Sequence, residues 1–200
     1  MKPSTPNEYE QIWNLPNSIT MGRLLLIPPV MLLLDADAPH RALWAAALFV
    51  IAAVLDLVDG WLARRRDEVT FFGKFMDPLA DKVMVTALLI MLVAHGRLAP
   101  WVAIVLVTRE FYVSGLRMLA LNERVEISAG AGGKAKTFLQ VSGVTGLILA
   151  YAIAAPLPGT DIGFSTIGTA LVYASLVVSL WSAYDYTRGF VLELRRRGAP

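Results

Sequence analysis

The chain has 200 residues, of which 56% are hydrophobic and only 17% charged, with a mean hydropathy of +0.57 and a formal charge of +2 at neutral pH. A soluble domain of this size carries nearer a quarter charged residues, and the apolar residues here fall into runs of roughly 16–25, long enough to cross a bilayer. An ordinary soluble globule is therefore excluded, the absence of cysteine excludes disulfides and thiolate metal sites, and no nucleic-acid partner is expected.

Residues Met1–Trp13 are polar, carry Pro3 and Pro6, and end in Ile12 and Trp13. They are expected to form an interfacial arm reaching to about residue 18. No basic segment directly precedes the apolar run and no small-residue cleavage site follows it, so the arm does not read as a signal peptide. A first span follows to about Leu34, with Asn17 or Ser18 as N-cap and a kink at Pro28-Pro29. The second span is read from about Ala42 to Leu62. The third runs from about Asp77 to His95, where Asp77 at the N-cap and Pro78 in the first turn suit a helix start. A fourth covers about Leu98–Ala120, a fifth about Lys134–Ala155 and a sixth about Thr166–Leu192, with Pro156-Leu-Pro-Gly159 as a turn between the last two. There is no internal repeat or low-complexity segment. The expected fold is an all-α membrane protein of six transmembrane helices: one domain over 19–192, preceded by the arm at 1–18 and followed by a basic tail at 193–200.

Six spans place both termini on one side. The segments on that side hold Lys2, Arg64, Arg65, Arg66, Lys74, Arg124, Lys134, Lys136, Arg195, Arg196 and Arg197, whereas the opposite loops hold only Arg41 and Arg97. Positive charge concentrates on the cytoplasmic face, so both termini and the loop between the second and third spans are read as cytoplasmic. The Arg195–Arg197 run then serves as a topology anchor against anionic headgroups.

That loop lies in the stretch around which the chain is organised. Asp56 and Asp59 are three residues apart, and Asp77 and Asp81 are four apart. Each pair thus shares one helix face. Carboxylates at a membrane boundary are costly unless they bind a cation or face water. With no cysteine, and with His40 and His95 at the opposite face, the donor set is all oxygen, which suits Mg²⁺ or Mn²⁺ rather than zinc. Two carboxylate pairs on facing helices can hold two divalent ions, an arrangement suited to phosphoryl transfer. Gly60, Ala63 and Gly73 lack bulk, which lets a nucleotide lie against the backbone or lets helices pack closely. Arg64 offers a planar fork for phosphate oxygens.

The pattern D-x2-D-G-x2-A-R-x8-G-x3-D-x3-D, on Asp56, Asp59, Gly60, Ala63, Arg64, Gly73, Asp77 and Asp81, resembles the signature of the CDP-alcohol phosphatidyltransferases. The resemblance implies six transmembrane helices, usually in a homodimer, around a polar cavity open to the cytoplasm. It implies that Asp56, Asp59 and Asp77 bind the metals, with Asp81 as general base and a further metal contact. Asp56, Gly60, Ala63, Arg64 and Gly73 would bind CDP. Asn14-Leu-Pro-Asn17 with Thr20 and Arg23, then Thr108-Arg-Glu110 with Ser114 and Arg117, and Gly133-Lys-Ala-Lys-Thr137 are similar to the branch that forms phosphatidylglycerol phosphate. That likeness implies CDP-diacylglycerol and sn-glycerol 3-phosphate as substrates, CMP as a product, and a bacterial-type inner membrane as the location.

The residues themselves agree with an acceptor that carries phosphate. Arg109 and Glu110 lie mid-span, where charge should face a polar cavity or a partner, and Glu110, Ser114 and Arg117 share a face. Arg109, Arg117, Lys134, Lys136 and Arg188 are the candidate acceptor-binding cations; Asn17, Thr20, Arg23, Glu110, Ser114 and Thr137 are candidates to line the cavity. The competing readings are an Arg109–Glu110 structural pair, Lys134 and Lys136 as topology charges, and an interfacial Arg188–Asp185 ion pair beside Trp181, Tyr184 and Tyr186. Inositol phosphate, serine or phosphatidylglycerol are alternative acceptors. A divalent-cation transporter is the alternative from another class, but it gives no reason for Gly60, Ala63, Arg64 and Gly73 at these spacings, and its site is expected nearer the midplane.

Overall fold

The computed structural model describes residues 15–35, 38–66, 71–123, 132–154 and 160–198; along 15–16, 57–66, 71–78 and 160–162, and at Asp81, Asn122, Gly132, Lys134, Ala154 and Gly198, it describes the backbone alone. The expected arm at Met1–Trp13 lies outside the described residues. Among those described there are six α-helices and no strand: α1 (Leu15–Asp35), α2 (Pro39–Arg66), α3 (Phe71–Ala94), α4 (Pro100–Asn122), α5 (Gly132–Ala154) and α6 (Thr160–Gly198). Four stretches are long and apolar enough to cross a membrane, Asn17–Asp35, Pro39–Asp56, Ala135–Ile153 and Gly163–Arg197, and Lys82–Ala94 is a shorter apolar helix. α4 is not among them, because Arg109, Glu110 and Arg117 interrupt its apolar sequence.

Several helix boundaries differ from those expected. α1 begins at Leu15, so Asn17 and Ser18 lie in its first turn and are not N-caps. It continues through Pro28 and Pro29; each proline removes one ladder donor, which a helix tolerates when neighbouring helices shield it. α3 starts at Phe71, so Asp77 is inside the helix and not at its N-cap. Pro78 costs one backbone bond there, and the apolar segment before it is helical nonetheless. The local preference of Pro78 for a helix start is outweighed by the rest of the helix. α6 extends beyond the apolar run at both ends, and at about 1.5 Å per residue its 39 residues reach about 58 Å. The segment expected as a tail is helical up to Gly198, where Arg197 meets Glu193 one turn back at 3.2 Å.

The helices alternate in direction. α5 and α6 cross antiparallel through glycine: a Cβ on Gly168 would lie 2.8 Å from the Leu147 nitrogen and 3.0 Å from the Gly143 carbonyl oxygen, so only glycine allows the backbones this close. α4 and α6 run parallel, linked in order by Arg109 to Ser179, Tyr112 to Thr187, Ala120 to Phe190 and Glu123 to Arg197. Gly96, at φ 67°, closes α3: its N–H donates to Val93 O at 2.9 Å and that of Arg97 to Leu92 O at 2.8 Å.

The core is graded along the bundle. Val30, Leu34, Ala45, Phe49, Leu88, Leu92, Val102, Leu106, Leu147 and Ile148 form one buried apolar cluster, all in the halves of the helices remote from the aspartate stretch. Of the buried polar residues, Asn17, Thr20, Arg23, Lys136 and Gln140 lie in the other halves, Arg109 and Ser179 lie near the middle of α4 and α6, and Ser175 sits beside the apolar cluster. Large apolar side chains such as Leu25, Trp44, Ile104, Met118 and Trp181 point outward, the arrangement expected where the solvent is lipid.

Candidate active site

Asp56 sits on α2 where the apolar run ends. Its carboxylate is half-buried and accepts a hydrogen bond at Oδ1 from Nη1 of Arg23 on α1, forming an ion pair. Asp59, Gly60, Ala63 and Arg64 follow on the same helix, and Gly73, Asp77 and Asp81 lie on α3. The expected signature thus occupies the two consecutive helices that flank residues 67–70. The side chains of these seven residues, and of Lys134, lie outside the described residues. Among the described residues, no group of three or more His, Cys, Asp or Glu side chains gathers at one place.

A second charged group joins α4, α5 and α6. Arg109 is 8% exposed and donates from Nε to the Ser179 carbonyl oxygen at 2.8 Å and from Nη1 to Glu110 Oε1 at 3.0 Å. Nζ of Lys136 donates to that same Glu110 oxygen. One carboxylate therefore holds two cations. Arg109 is committed to the α6 backbone and to Glu110, so the pairing expected of a structural role is present, and it reaches both neighbouring helices. Lys136 is buried in the bundle, whereas a topology charge belongs outside the membrane.

The remaining candidates separate. Ser114 donates to the Glu110 carbonyl oxygen at 2.7 Å and Thr137 to that of Gly133 at 3.2 Å, so both hydroxyls return to their own helix backbone. Arg117 and Arg188 are exposed, and neither has a salt-bridge partner among the described residues. The expected Arg188–Asp185 pair does not form: Asp185 is exposed too, and an exposed pair one turn apart gains too little to hold two side chains together. Asn17 and Thr20 are buried in line with Arg23.

A cleft between α3, α4 and α5 is lined by Lys82, Thr86, Glu110, Lys136, Thr137 and Gln140, with Val85, Leu89, Val107 and Val141 as its apolar wall. Its lining on α3 begins at Lys82, the residue that follows Asp81 in the chain. Gln140 is buried, and its Nε2 has no hydrogen-bond partner among the described residues. Lys82, Thr86 and Gln140 were not among the expected site residues. The signal for Gln140 was present: a primary amide four residues after Lys136, inside an otherwise apolar run, is a polar group that needs a partner.

The sequence pattern of the CDP-alcohol phosphatidyltransferases matches residues 13–181 of this chain. The chain belongs to that family. It is 41% identical over 150 residues to a Bacillus subtilis protein named CDP-diacylglycerol–glycerol-3-phosphate 3-phosphatidyltransferase, covering 69% of this chain and 78% of that relative. Proteins of the same name from Rickettsia bellii and Haemophilus influenzae are 32% and 34% identical over 174 and 179 residues. These alignments cover 86% and 87% of this chain and 93% and 91% of the relatives. The family match includes α1 to α5 and about half of α6, so the buried polar residues and the cleft all fall within it.

Proposed function

We propose that this phosphatidyltransferase moves the phosphatidyl group of CDP-diacylglycerol onto sn-glycerol 3-phosphate, giving phosphatidylglycerol phosphate and CMP. The observation that carries the proposal is the family signature on two consecutive helices, α2 and α3, at the polar end of the bundle. The names of the similar proteins supply the acceptor. The cations of the cleft and its rim fit an acceptor that brings its own negative charge.

All six helices cross the bilayer in this reading, as one domain over 19–192. Both termini and the polar end face the cytoplasm of a bacterial inner membrane, the interfacial arm precedes α1, and two chains pair as a homodimer. α4 crosses with charge on it because Arg109 is buried in the bundle and Glu110 lines the cleft, as does Lys82 of α3.

The oxygen-only donors Asp56, Asp59, Asp77 and Asp81 fit Mg²⁺ or Mn²⁺, and Oδ2 of the half-exposed Asp56 carboxylate, which has no hydrogen bond among the described residues, can face such an ion. Two divalent ions bound there would supply charge neutralisation at the diphosphate. Gly60, Ala63 and Gly73 leave room for the CDP moiety, with Arg64 on its phosphate oxygens. Asp81 takes the proton from the 1-hydroxyl of glycerol 3-phosphate. The hydroxyl oxygen bonds to the phosphorus bearing diacylglycerol as the bond from that phosphorus to the CMP oxygen breaks. Arg117, Lys134 and Arg188, with the positive excess of the Arg109–Glu110–Lys136 group, receive the acceptor's phosphate. Much of the rate gain comes from holding a lipid and a soluble alcohol at one point.

The test is CMP release from CDP-diacylglycerol with glycerol 3-phosphate, inositol phosphate or serine offered separately. Release with glycerol 3-phosphate alone is the expected result. Equal release with inositol phosphate or serine would overturn the acceptor assignment.

A further inference from the structure

The buried face of α1 changes character along its length. Val30 and Leu34 pack into the apolar core in the later half, whereas Asn17, Thr20 and Arg23, spaced by three residues, are 3%, 1% and 4% exposed in the earlier half. Arg23 is the only charged residue of α1 before Asp35. A guanidinium this deeply buried is expensive unless a carboxylate and hydrogen bonds hold it. Its carboxylate is Asp56, the first aspartate of the signature, on the neighbouring helix. The pair is unequal: Arg23 is enclosed, while the Asp56 side chain is 37% exposed and its Oδ2 makes no hydrogen bond among the described residues. One end of the pair is fixed in the protein and the other is partly open.

We propose that Arg23 is a positioning residue for Asp56: by holding Oδ1 it fixes the plane of the carboxylate and leaves Oδ2 for a divalent cation. The proposal rests on the reading of Asp56 as a metal ligand. Partners that orient a ligating carboxylate are worth about 10–100-fold in metal affinity. Electrostatics alone gives the opposite sign, because a cation beside a metal ligand repels the metal, and its removal should tighten binding. A loss of affinity on removing Arg23 is therefore the mark of positioning.

The experiment measures Mn²⁺ binding to the full-length protein in detergent, without nucleotide or lipid substrate, from the electron paramagnetic resonance signal of free Mn²⁺. The wild type, Arg23→Ala, Arg23→Lys, Asp56→Asn and the Arg23→Ala/Asp56→Asn double variant are compared. Arg23→Ala should bind Mn²⁺ about 10–100-fold more weakly. Arg23→Lys keeps the charge but lacks the fork, and should recover only part of the loss. The double variant should bind as Asp56→Asn does, because the effect of Arg23 on the metal passes through the carboxylate it holds. Unchanged or tighter binding in Arg23→Ala, or losses that add in the double variant, overturns the proposal and leaves Asp56 a ligand. If Arg23→Ala does not fold, Arg23→Lys decides: wild-type affinity overturns the proposal, and a several-fold loss supports it. A wild type that binds no Mn²⁺ overturns the metal reading as well, so the two failures are distinct.

Discussion

The two ends of the bundle are held together differently. At the end that carries Gly96 and the start of α6, the buried cluster is made of apolar side chains, and Gly168 brings two backbones into contact. At the other end, Arg23 reaches Asp56, and Arg109 and Lys136 share Glu110, so adjacent helices meet through charge. Apolar packing stabilises without direction. A charged contact fixes orientation and costs desolvation, and replacing it by apolar residues is often neutral or stabilising. A protein that keeps such groups in one half of its core therefore uses that half for binding or chemistry, and the other half as the frame.

Exchanging that division of labour residue by residue tests it, and the largest effect belongs to the polar end. Asp77→Asn should reduce turnover by orders of magnitude, about 10²–10⁴-fold if its loss matches that of a typical catalytic group, with the melting temperature in detergent little changed. A parallel fall in stability would make Asp77 part of the frame. Glu110→Ala is next: it leaves the buried Arg109 and Lys136 without their carboxylate and should destabilise the protein by about 3–5 kcal/mol, read from thermal unfolding. A nearly neutral result would mean that water or the membrane interface already solvates both cations.

At the apolar end the signs reverse. Gly168→Ala places a methyl group 2.8 Å from a backbone nitrogen that no rotamer change can move. It should cost about 1–3 kcal/mol and leave the turnover of the folded fraction close to wild type. The smallest effect is expected at the boundary between the ends. Gln140→Leu keeps the bulk of a side chain whose Nε2 is unpartnered in the described structure. If that amide donates to the acceptor, its loss should raise KM for glycerol 3-phosphate by roughly fivefold, the equivalent of about 1 kcal/mol. KM for CDP-diacylglycerol should stay the same; an equal rise in both would place Gln140 in the frame.

The two ends were also unequally legible in the sequence. Hydropathy located the apolar halves because burial in lipid or in the core selects the same residue types; the described residues form six helices, four of them long and apolar enough to cross a membrane. Helix ends were less readable. Pro78 suggested a start that α3 passes through, and Asn17 suggested a cap where α1 has already begun. Capping and proline signals are worth only a kcal/mol or a few, which tertiary packing overrides. The signature was legible as spacing, since fixed intervals on a helix are geometry. The partners Ser179 and Asp56 were not, because Arg109 and Arg23 find them 70 and 33 residues away, and no local pattern encodes such a distance. The glycine crossing of α5 and α6 involves no residue of the sequence motifs. Gly143, Gly146 and Gly168 gain meaning only when the two helices are placed face to face.

The most direct test of the account follows one atom group across the polar end. CDP-diacylglycerol and radiolabelled glycerol 3-phosphate are incubated with the protein and Mg²⁺, and CMP and lipid-extractable label are counted together. The wild type should pass one label into the lipid for each CMP released, and Asp81→Asn should give neither. CMP released without label in the lipid, or undiminished transfer by Asp81→Asn, would contradict the proposed mechanism.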